Sequence, residues 1–120
     1  MAPAGYEQLD TVTLDQYCDA IGAAVLMKSV TLFEQMAPEY LNTVASAIAA
    51  DDKKAITSEA HKLKGAAGSV GLKRIQLLSE KLQCGDEPEW PSQFKQWFSQ
   101  ITEHYDADVA SLKAYLAEKG

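Results

Sequence analysis

The chain has 120 residues, 47% of them apolar and 23% charged, with a formal net charge of −6. That is enough for one domain with a real core. No apolar run approaches the roughly 20 residues that span a bilayer, and the acidic balance argues against a nucleic-acid surface. The start, MAPAGYEQLD, lacks the basic and apolar parts of a secretion signal. A cytoplasmic, monomeric protein is expected, with Cys18 and Cys84, which form no CxxC, as free thiols.

Residues 1–10 read as a flexible lead-in. Thr13 is the expected N-cap of a short helix over Leu14, Tyr17, Cys18 and Ile21 that ends at Gly22. From about Ala23 to Ala50, Leu26, Val30, Phe33, Ala37, Leu41, Val44 and Ile48 step by three and four, the period of a buried helical stripe. Pro38 lies inside that stripe and is expected to kink or split the helix. Asp51 or Asp52 can cap a third helix with the stripe Ile56, Ala60, Leu63, Ala67 and Val70, and Gly71 can end it. A fourth helix carries Leu72, Ile75, Leu78 and Leu82 and stops near Gly85. After the loop CGDEPEWP, a last helix from about Pro91 to Glu118 is expected to bury Phe94, Trp97, Ile101, Tyr105, Leu112 and Leu116. No stretch alternates with period two. The pattern predicts an all-α fold, an antiparallel four-helix bundle with a short N-terminal capping helix.

Charge is unevenly spread. Between Lys53 and Lys81 there are seven bases and two acids, and the rest of the chain holds four bases and 15 acids. A local positive field in an acidic protein suits a small anionic target or an acidic patch on a partner. This segment contains EAHKLKGAAGSVG, in which Gly65 and Gly68 occupy helical positions at a cost of about 1 kcal/mol each relative to alanine. With about 100° per residue, Lys54, Thr57, Ser58, Lys64, Gly65 and Gly68 fall within about 60° of His61, and Ile56, Leu63 and Val70 lie roughly opposite. His61 is therefore expected on the outward face, with the two glycines leaving room over the ring for another molecule. Imidazole offers a nitrogen nucleophile near neutral pH. Lys64, one turn on, can compensate phosphoryl charge, whereas Lys62 points aside and acts only through the field.

The run His61-Lys62-Leu63-Lys64-Gly65-Ala66-Ala67-Gly68-Ser69-Val70-Gly71 resembles the signature of histidine-containing phosphotransfer (HPt) domains, and the likeness extends over about residues 10 to 118. The resemblance implies a phosphorelay intermediate without autonomous kinase activity, in a respiratory-control setting. His61 would accept a phosphoryl group on Nε2 from the aspartate of a sensor kinase's receiver domain and pass it to the aspartate of a response regulator. It implies that Lys64 stabilises the group and that Gly65 gives clearance. Gln83, 22 residues after His61, would accept a hydrogen bond from Nδ1. It further implies that receivers dock across the first helices, for which Leu14, Tyr17, Ile21, Ser58, Lys62 and Gly68 are the candidates. The chain itself would bind no cofactor or metal, and Mg²⁺ would belong to the receiver. A free-standing protein and a module of a longer kinase both fit.

Other chemistries are poorly supported. GxxxxGK[ST] is absent, and His61 and His104 are the only histidines, without ligand spacing. His104 reads as a bundle-edge residue, and Trp90, Trp97 and Phe98 as loop anchor and core. The alternative from another class is a helical module that binds receivers without transferring phosphate. It would not need His61, Lys64 and Gln83 together.

Overall fold

The period-3.6 stripes become five helices in the computed structural model, which describes residues 5–119: α1 Thr11–Ile21, α2 Ala23–Ala49, α3 Lys53–Ser69, α4 Lys73–Gln83 and α5 Trp90–Lys119. No strand occurs among the described residues. Helix α3 packs between α2 and α4, and α5 closes the bundle against both, while α1 caps α2. The core is supplied by the expected positions, among them Leu26, Val30, Ile56, Leu63, Ile75, Leu82, Ile101 and Leu112. Leu41, Ile48 and Tyr105 are only half-buried, and Ala47, Val109 and Tyr115 are buried in addition. Over a long straight helix the inward face drifts off a strict repeat, and the stripe moves with it.

Three expectations are corrected. The N-cap of α1 is Asp10, whose carboxylate accepts hydrogen bonds from the Thr13 N–H (3.2 Å) and the Thr13 hydroxyl (2.7 Å). Of the kink or split expected at Pro38, the split does not occur, and α2 runs on through the proline as one helix. The proline is exposed and the side chain of Glu34, one turn back, is partly so. Water can therefore serve the carbonyl that loses its partner, and packing on both sides holds the helix. Residues 5–10 are not a loose lead-in; residues 1–4 of that segment lie outside the described residues. Leu9 is buried, the Asp10 N–H donates to Gly71 O (2.9 Å) and the Arg74 N–H donates to Gln8 O (3.0 Å). The segment is thus tied to the α3–α4 turn. The Tyr6 ring meets that of Tyr115 edge-on at 5.0 Å.

Two polar contacts fix how α4 and α5 sit. The Trp90 Nε1–H donates to Leu82 O (2.9 Å), and its indole stacks on Phe94 with centroids 4.4 Å apart. Asp108, fully buried, takes a bidentate grip from the Arg74 guanidinium of α4, and that hydrogen bond raises the arginine's pKa. Removing one partner of a buried pair strands the other charge. Because Arg74 is itself partly exposed, we expect Arg74→Ala to cost about 3 kcal/mol, at the low end for such pairs, or roughly 10 °C in melting temperature. Thermal denaturation followed by circular dichroism checks this. A loss below about 1 kcal/mol would mean that Asp108 is satisfied without the arginine.

Candidate functional site

Asp52 caps α3 by accepting the Ala55 N–H (3.2 Å), and burial of Ile56, Ala60, Leu63 and Ala67 fixes the rotation of the helix. His61 is therefore exposed on the crest of α3. The helical wheel divides its surroundings into two flanks. On the side turned to α2 lie Ser58, Lys62, Ala66 and Ser69. On the side turned to α4 lie Thr57, Lys64 and Gly68.

Gly65 stands one turn beyond the ring, exposed, and a Cβ built there would meet nothing within 4 Å. The surface at Gly65 itself is open on this side. Gly68 departs from the clearance expected of it. A Cβ there would fall 2.9 Å from Gln76 Nε2 and 3.1 Å from its Cδ, so the missing side chain makes room for an α4 glutamine and not for a visitor.

Lys64 is half-buried on the α4 flank, and Lys62 is exposed and paired with Glu59 at 3.2 Å, directed away from the ring. Gln83 ends α4 beside Lys53, Lys54, Thr57, Gly85 and Asp86, which line a cleft of about 400 Å³ one turn before His61. Its Oε1 is buried and has no hydrogen-bond partner, and no hydrogen bond joins it to His61 among the described residues. An acceptor held ready in this way calls for a donor.

The docking candidates divide. Tyr17 and Ile21 are exposed at 37% and 50%, and Ser58 is exposed on the crest. Leu14 is fully buried and cannot meet a partner. It packs under the α3–α4 turn at Gly71, whose φ of +75° suits glycine and where a Cβ would fall 2.7 Å from Leu14 Cγ. The sequence reasoning missed Val25, Leu32 and Met36, exposed at 46%, 59% and 49% on α2. Leu32 and Met36 join Ala66 and Ser69 of α3 around a shallow cleft of about 270 Å³. The available signal was apolar residues on α2 that fall off its buried stripe. Among the described residues no cluster of three potential metal ligands occurs, and no helix is long and apolar enough to cross a membrane. Cys18 and Cys84 are free.

Comparison with known proteins places the sequence and the fold in a family. The Hpt domain family matches residues 28–115. The aerobic respiration control sensor protein ArcB of Escherichia coli O157:H7 is 40% identical over 110 residues, 92% of this chain and 14% of ArcB. ArcB of Escherichia coli K12 is 39% identical over the same share. The chain thus spans about one seventh of these relatives. A solved structure of the histidine-containing phosphotransfer domain of Escherichia coli ArcB superimposes with a TM-score of 0.91 at 38% identity, covering 94% of this chain and 96% of that one. Its solution structure gives 0.85 at 39% identity, covering 93% and 90%. With its histidine on the crest of a four-helix bundle, the chain belongs to the Hpt domain family.

Proposed function

We propose that this chain is the phosphohistidine intermediate of a two-component phosphorelay, with His61 as the residue that carries the group. The observation that supports this most directly is an exposed imidazole with open space beside it at Gly65, inside the positively charged segment. In the forward step the Nε2 lone pair attacks the phosphorus of a receiver's aspartyl phosphate. The P–N bond forms as the bond to the carboxylate oxygen breaks, and the aspartate leaves as carboxylate. Nδ1 keeps its proton and donates it to an acceptor, the role we assign to Gln83 Oε1; this bond holds the tautomer that leaves Nε2 free. Lys64 compensates charge on the transferring oxygens. The second step reverses the first on the aspartate of a response regulator.

Both partners are receiver domains, whose acidic sites suit the basic segment. Likeness to ArcB supports a regulator of the ArcA type, a cytoplasmic setting and the absence of autonomous kinase activity. Mg²⁺ is assigned to the receiver and none to this chain. The docking surface consists of Tyr17, Ile21, Val25, Leu32 and Met36 on the α2 side of the crest, with Ser58 at its edge.

The test is incubation with a receiver phosphorylated on aspartate. Label should appear on this chain, be labile in acid and stable in alkali, and map to His61. A chain that binds the receiver and takes up no label would be the non-transferring module instead. In the same assay Lys64→Ala should slow transfer roughly 10- to 100-fold with the melting temperature unchanged. An unaltered rate would remove Lys64 from the mechanism.

A further inference from the structure

Gln76 has no part in the chemistry above, yet it reaches onto the face that carries His61. Its amide lies over Gly68: Nε2, Cδ and Oε1 are 2.9, 3.1 and 3.4 Å from where a Cβ would stand. Gly68 is seven residues from His61 and about 20° from it on the wheel, so the amide sits roughly 10 Å along the same line of α3. The side chain is half-buried, and no hydrogen bond engages it among the described residues. Filling the groove between two helices needs only a methyl group at 68 and a shorter apolar residue at 76. Instead the helix accepts a glycine, which lets a polar head lie flat at the surface with its donors and acceptor free.

We infer that Gln76 is a recognition residue for the receiver, hydrogen-bonding polar groups of the docked domain on the α4 flank of His61. This rests on the phosphotransfer reading. The α2 flank offers apolar groups, Leu32 and Met36; the α4 flank offers an amide. A partner that straddles the crest is gripped by contacts of unlike chemistry on its two sides, and the amide adds to the affinity of that grip. Gln76 touches the partner and not the transferring phosphoryl group, so its loss should be felt in encounter and not in bond-making.

Steady-state transfer from a phosphorylated donor receiver, through this chain, to the aspartate of an acceptor receiver tests the inference, with the donor concentration varied. Gln76→Ala should raise the KM for the receiver about tenfold, the loss of one or two hydrogen bonds, with kcat within about twofold. Gln76→Glu keeps the atoms over Gly68 and so guards against a folding artefact. It should raise KM further, because a carboxylate then faces the receiver's acidic site, and added salt should reverse part of that extra rise. Gly68→Ala, which displaces the amide, should reproduce the Gln76→Ala result. Unchanged KM in Gln76→Ala and Gln76→Glu overturns the inference, as does a fall in kcat at constant KM. Label that persists in His61→Gln would instead overturn the phosphotransfer reading, so the two failures are distinct.

Discussion

A chain carrying His61→Gln should take up no phosphoryl label from a phosphorylated receiver, while its melting temperature stays within about 2 °C of the parent. The amide nitrogen of glutamine has its lone pair delocalised and cannot attack phosphorus, so the expected loss is complete and not graded. The fold should not notice: His61 is exposed, and the core of α3 is formed by Ile56, Ala60, Leu63 and Ala67 on other faces. Label mapping after transfer, together with a thermal melt, gives both halves of the result. Label found on His104, half-buried on α5, would move the site to another helix.

Gly65→Gln is expected to separate stability from activity in opposite directions. Position 65 is an ordinary helical residue with empty space where a Cβ would go. Replacing glycine in an exposed helix interior should stabilise the domain by roughly 0.5–1 kcal/mol. The same side chain would project into the approach to the imidazole. In-line attack needs contact distances near 3 Å, and a displacement of about 1 Å can cost on the order of 100-fold in rate. A more stable protein with transfer reduced by about that factor is the outcome expected from melts and transfer rates on one preparation. Undiminished transfer would show that clearance at 65 is not needed.

Much of this was legible from the residues because most of it is local. The α2 stripe, a cap at Asp51 or Asp52 and the outward direction of His61 follow from one helix and its period. What the sequence could not show depends on which element covers which. Leu14 looks like any other apolar residue of a short amphipathic helix until the turn at Gly71 is seen to lie on it. Gly68 reads as open space until α4 brings Gln76 across it. Asp108 is written as one more acid in a run of polar residues, and only the register of α4 against α5 puts Arg74 beside it. Val25, Leu32 and Met36 were visible as apolar, but that they remain uncovered is a property of the finished bundle.

The crest bearing His61 has two dissimilar slopes, apolar toward α2 and polar toward α4. Under the proposed function, donor and acceptor must take turns on the same footprint, and the relay runs as a ping-pong exchange with a dissociation between its halves. A surplus of idle regulator then occupies the seat that the donor needs, and loading slows. Throughput should therefore pass through a maximum as the acceptor's abundance rises, a ceiling that comes from the shape of a helix surface and not from the rate of phosphorus chemistry.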